Sequence, residues 1–81
     1  MSNNTEIKVN NYSIVNTRLF ENSRGMVGFY LTLEFNGKAI GDVSHDGDSI
    51  TYSYVFATEH REHSDIVTDV LIDLLLEANG Y

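Results

Sequence analysis

Residues 26–44 read MVGFYLTLEFNGKAIGDVS, and this stretch decides the fold. Val27, Phe29, Leu31, Leu33 and Phe35 alternate with Gly28, Tyr30, Thr32 and Glu34, the period-two pattern of a strand that buries one face. Asn36-Gly37 follows at once. Such a pair accepts the two positive φ angles of a type I′ turn, so it predicts a two-residue hairpin. Lys38 to Ser44 then returns as the antiparallel partner.

Working outward from this hairpin, Glu21-Asn22-Ser23-Arg24-Gly25 reads as a loop. Before it, Tyr12 to Phe20 and Ile7 to Val9 are extended, with Asn10-Asn11 marking a bend or bulge. After the hairpin, Asp46-Gly47 is a second turn signal and Ser49 to Ala57 a fourth strand. The C-terminal stretch changes period. Ile66, Val67, Val70, Leu71, Leu74, Leu75 and Ala78 recur at three- and four-residue spacing, one apolar helical face. Ser64 is placed to cap a helix of four or more turns beginning at Asp65. Thr58 is placed to cap an earlier turn from Glu59, and Asn79-Gly80 marks the stop. The expected architecture is α+β: an antiparallel sheet of about four strands, a β-meander, followed by one C-terminal helix packed on one face.

Eighty-one residues make one domain, 1–81, with residues 1–5 read as a flexible tail. The chain is 42% hydrophobic and has no proline, which argues against disorder. It has no cysteine, so neither disulfides nor a thiol nucleophile is available. The start, MSNNTEIKVNN, resembles no signal peptide, and no apolar run is long enough to span a bilayer. A cytoplasmic location is expected, with no membrane partner.

Charge is distributed unevenly. Residues 1–41 carry three acids and four bases, +1 net, whereas residues 42–81 carry nine acids and Arg61 alone, −8 net. The second half would repel phosphates, so direct nucleic-acid binding is not expected, and a basic partner would be drawn to it. At about 100° per residue, Asp65, Asp69, Asp73 and Glu77 fall on one drifting helical stripe with Glu62 beside it. Like charges four apart repel by about 0.2–0.5 kcal/mol per pair, so the row has a local cost. Its spacing of roughly 6 Å per charge is looser than the 3.4 Å or so of a DNA strand. The plain alternative is a solvated, solubilising face.

A second surplus is apolar. Ile72 and Leu76 flank the acidic stripe, on the side away from Val70 and Leu74. If both hairpins use two-residue turns, Tyr30, Val43, Ile50, Tyr52, Tyr54 and Phe56 share one sheet face, with Gly41 opposite Tyr52. Val27, Phe29, Leu31, Leu33 and Phe35 take the other face. One helix cannot cover both. Either a bulge near Gly41 flips part of the sheet, or Tyr30, Tyr52, Tyr54, Ile72 and Leu76 belong to an interface, most simply with a second copy.

Catalytic signals are sparse. His60 and His63 stand three apart beside Glu59, Glu62 and Asp65, but the run matches no zinc-peptidase motif and reads as a polar, exposed helix end. His45-Asp46-Gly47-Asp48 lacks the remaining EF-hand ligands and reads as a tight turn. There is no nucleophile elbow and no phosphate loop. No catalytic residue, metal or cofactor is expected. The expectation is a small acidic non-enzymatic inhibitor that binds another protein through Glu62, Asp65, Asp69, Asp73 and Glu77. It would block a basic nucleic-acid-binding surface by mimicry. Size and charge are those of phage-encoded anti-defence blockers, an analogy that no family motif carries; on that analogy the site of action is the host cytoplasm. The alternative is a homodimeric structural or assembly subunit joined through its aromatic sheet face.

Overall fold

The computed structural model describes residues 10–81. Strands β1 (Tyr12–Glu21), β2 (Val27–Phe35), β3 (Lys38–His45) and β4 (Ser53–Phe56) form one antiparallel sheet in the order β1-β2-β3-β4. A 3₁₀ segment (Thr58–Asp65) and a helix, α1 (Asp69–Ala78), follow. This is the α+β meander with a C-terminal helix that the periodicities predict. The expected extended run Ile7–Val9 and the tail at 1–5 lie outside the described residues. Asn10 and Asn11, at φ 53° and 70°, make the bend before β1.

The decisive hairpin forms as read. Phe35 pairs with Lys38, and Asn36 and Gly37 take φ 54° and 81°. Farther along, the ladder departs from a simple register. Glu34 pairs with Ala39 but Leu33 with Gly41, so Ile40 is an extra residue in β3. One inserted residue exchanges the two faces of everything beyond it. Val43 therefore stands opposite Leu31 on the core face. The β3–β4 connection is longer than Asp46-Gly47 alone, because Ser44 pairs with Ser53. That corrects the two-residue turn, and it displaces the pairing by four residues, an even number that leaves the faces unchanged. Phe56, not Tyr52, lies opposite Gly41. The bulge near Gly41 thus removes the second apolar sheet face by merging it with the first.

The loop lengthens because Asp46 builds its own turn. Its Oδ1 accepts from the backbone N–H of Asp48 and Ser49, both at 2.8 Å, and its Oδ2 from the Ser49 hydroxyl at 2.9 Å. These donors, the Asp48 amide first, pull its carboxyl pKa down to about 2. Asn22 ties this loop to the β1–β2 loop, donating to the Asp46 carbonyl at 2.9 Å and to Asp48 Oδ2 at 3.0 Å.

The helix is shorter than its pattern suggests. Ile66, Val67 and Thr68 are three successive β-branched residues, which resist helical rotamers. Thr68 is extended at φ −127° and ψ 166°, and its Oγ1 accepts from the Leu71 amide at 3.3 Å. Thr68, not Ser64, is the cap, and α1 begins at Asp69 with about three turns. The preceding turn does run from Thr58, but Ala57 stands at its cap position without a side-chain bond. Helix orientation also differs from expectation. Leu71, Ile72 and Leu75 are buried and Leu76 packs against them, while Val70 and Leu74 face outward. The two candidate arcs share Leu71 and Leu75. Ile72 and Leu76 join them because Asp69 and Asp73, bonded to the Tyr54 and Tyr52 hydroxyls, turn that side of α1 toward the sheet.

His63 is not an exposed helix end; it is buried against β1 and β2. Its Nδ1 lies 2.7 Å from the Tyr12 hydroxyl, and the Phe35 ring packs on it with centroids 4.7 Å apart. Burial, with the Glu62 charge adding to it, raises the Tyr12 pKa, so the hydroxyl stays protonated at neutral pH. Tyr12→Phe leaves Nδ1 without this partner and is expected to lower stability by about 1–3 kcal/mol. Urea unfolding with an unchanged denaturant slope checks it.

Candidate protein-interaction surfaces

The five acids expected on one stripe divide between two elements. Glu62 and Asp65 lie on the 3₁₀ segment, and Asp69, Asp73 and Glu77 on α1, with Ile66-Val67-Thr68 interrupting the row. They also divide by role. Asp69 is half-buried; it accepts from the Tyr54 hydroxyl and, at 3.2 Å, from the Tyr52 amide. Asp73 accepts from the Tyr52 hydroxyl. These two carboxylates fasten α1 to β4 and to the residue just before it. Glu62, Asp65 and Glu77 are exposed.

The aromatic and apolar candidates divide as well. Tyr30 is 54% exposed on the sheet face away from the helix. Tyr52 and Tyr54 are half-buried on the core face, which the Ile40 bulge assigned to them. Ile72 is fully buried and Leu76 partly so, which corrects their placement at an interface. The apolar side chains left exposed on α1 lie instead on the arc turned away from the core. Val70 (67% exposed) and Leu74 (48%) stand four apart on the outward side of α1, and Ile66 (59%), on the turn before it, is exposed as well.

No protein-family model, curated protein or solved structure matches the chain. The side chains themselves therefore carry the argument. Among the described residues, no group of three or more His, Cys, Asp or Glu side chains could hold a metal ion. No helix among them is long and apolar enough to cross a membrane.

A second exposed cluster escaped the sequence reading. Phe20, 44% exposed, shares the outer face with Tyr30 where β1 is irregular, while Leu19, 53% exposed, stands opposite Phe29 at the end of the other face. Val15 pairs with Thr32 but Arg18 with Tyr30, so Asn16 and Thr17 together span the place of Leu31's partner. Asn16 sits at φ 56°. The signal was present in the sequence: asparagine inside a strand is the side chain that most readily takes the left-handed conformation a bulge needs.

Proposed function

We propose that this chain is a non-enzymatic protein-binding protein whose contact surface is the outward side of α1 and the turn before it, with a basic protein as partner. The observation that carries this reading is that Val70 and Leu74 on α1 and Ile66 on the turn before it are exposed, on the same stretch of chain as the exposed carboxylates of Glu62, Asp65 and Glu77. Exposed apolar side chains with a polar rim are how interfaces are built. The −8 net charge of residues 42–81 adds steering toward a positive surface. A surface that grips nucleic acid is the class of target such a rim competes for, so an inhibitor by occupation is the favoured form.

The test separates the two components. Capture of partners from a bacterial lysate on the immobilised chain, followed by titration with salt, reads the charged part. The triple change Glu62→Lys, Asp65→Lys, Glu77→Lys is expected to slow association strongly and flatten the salt dependence. It leaves the tyrosine-bound Asp69 and Asp73 untouched. Leu74→Ala is expected to speed dissociation, losing about 1–2 kcal/mol of affinity. Nucleic acid should compete for the captured protein. Capture that neither change weakens would remove the helix surface as the site.

A further inference from the structure

The bulge in β1 builds a groove on the sheet face opposite the helix, and its parts fit a small ligand. Asn16, Arg18, Leu19, Phe20, Tyr30 and Thr32 line it, around a volume of about 650 Å³. That lies within the range of pockets that hold small molecules.

Three features bring this groove into being. First, the extra residue at Asn16-Thr17 exchanges faces along the rest of β1. Without it, strict alternation would send Arg18 and Phe20 to the helix side. With it, Arg18 stands opposite Tyr30 and Phe20 opposite Gly28, on the outer face. Re-aiming a side chain is a characteristic use of a bulge.

Second, Gly28 makes room for the Phe20 ring. A Cβ on Gly28 would lie 2.2 Å from the His45 carbonyl oxygen and 2.5 and 2.8 Å from Phe20 Cζ and Cε1, so glycine is what the close β3 backbone and the resting ring both require there. Phe20 and Tyr30 become neighbouring aromatic walls. Third, Arg18 has no carboxylate partner among the described residues, although acids outnumber bases twelve to five in the chain. Its guanidinium fork is free to take a planar anion in bidentate fashion. Thr32 is engaged, donating to Asp42 Oδ1 at 3.1 Å, so the cation and the rings set the chemistry.

We propose that this groove binds a small ligand that joins a planar aromatic ring to an anionic group, the anion on Arg18 and the ring against Tyr30 and Phe20. The site is separate from the helix surface and does not depend on it. Rings offer offset or edge-on contacts to an aromatic ligand, and the anion excludes purely apolar ones. An anion alone would leave the aromatic walls unused.

Titration of the isotope-labelled full chain with phenyl phosphate and with benzoate, followed by amide resonances, tests it. Saturable shifts confined to residues 16–20 and 30–32 are expected for both probes, the tighter one naming the anion. Benzyl alcohol and inorganic phosphate, which each lack half of the ligand, are expected to bind about tenfold more weakly or worse. Arg18→Ala and Arg18→Gln are expected to weaken phenyl phosphate by about tenfold or more, with circular dichroism unchanged. Lys38→Ala, which removes an equal charge at the far hairpin, is expected to leave it unaltered. Shifts spread over the surface, inorganic phosphate binding as well as phenyl phosphate, or equal losses from Arg18→Ala and Lys38→Ala would each overturn the proposal.

Discussion

Ile72→Ala is expected to lower the unfolding free energy by about 2–5 kcal/mol, whereas Leu74→Ala changes it by no more than about 0.5 kcal/mol. The two residues are neighbours on one helix, and both are large and apolar. They differ in direction. Ile72 is fully buried among Leu71, Leu75 and the sheet, so removing its branched end leaves a cavity that packed neighbours cannot close. Leu74 is 48% exposed and gives up little when shortened. A domain of this length holds about 4–12 kcal/mol in total, so the first change removes a large share and the second almost none. Urea titration of both variants reads the contrast directly. Equal losses, or a larger loss at Leu74, would mean that the other arc faces the sheet, and the helix surface would lose its apolar centre. The contrast thus tests the fold and the proposed interface in one measurement.

What could be read from the chain depended on how local the deciding interaction was. The alternation of Phe29 to Phe35 and the Asn36-Gly37 turn are settled by residues within a few positions of each other and stand as read, while Val27, at the strand's start, is exposed. The helix was legible as an element but not in its rotation. Two arcs of similar apolarity overlap at Leu71 and Leu75, and the choice between them rests on contacts with a sheet that is distant in sequence. The break before α1 was legible in principle, because Ile66-Val67-Thr68 is a poor helical triplet. The acidic row resisted reading for a different reason. Its spacing is regular along the chain, but the partners that claim Asp69 and Asp73 are Tyr54 in β4 and Tyr52 just before it, 15 and 21 residues away.

Bulges proved the most consequential features: the strand glycine Gly41 left one there as an alternative, and the one at Asn16-Thr17 went unread. The one at Ile40 merges two apolar sheet faces into a single core, so a chain with enough aromatic residues for two covered faces needs only one helix. The one at Asn16-Thr17 acts in the opposite sense, taking Arg18 and Phe20 out of alternation and giving the outer face its groove. An inserted residue costs one ladder position and redirects every side chain beyond it. In a sheet of four strands that is enough to decide which surface is core and which is available to a ligand.

Raising the pH from 10 toward 12 is expected to erode the stability that the tyrosine–aspartate bonds of α1 contribute, and Tyr54→Phe with Tyr52→Phe is expected to reduce that loss markedly. Tyr52 donates to Asp73 and Tyr54 to Asp69, so each bond needs the protonated hydroxyl. For Tyr52, the hydrogen bond to Asp73, with burial and the two aspartate charges, lifts the pKa from 10 to about 12. For Tyr54, burial comes first, then the bond to Asp69, and the pKa rises further. The sign follows from linkage: a folded-state pKa above the unfolded one gives stabilisation that is complete below pH 10 and lost as pH climbs through the folded value. At neutral pH, Tyr54→Phe should lower stability by about 1.5–3 kcal/mol, since its bond to a charged group is half-buried. Tyr52→Phe should lower it by about 0.5–1.5 kcal/mol, since water reaches Asp73. Phenolate absorbance followed alongside urea stability provides the measurement. If the double variant loses as much stability between pH 10 and 12 as the parent, the hydroxyl–carboxylate bonds hold nothing, and Asp69 and Asp73 return to the acidic surface. If it loses markedly less, those two carboxylates belong to the fold. Any search for the partner's contacts then rests on Glu62, Asp65 and Glu77.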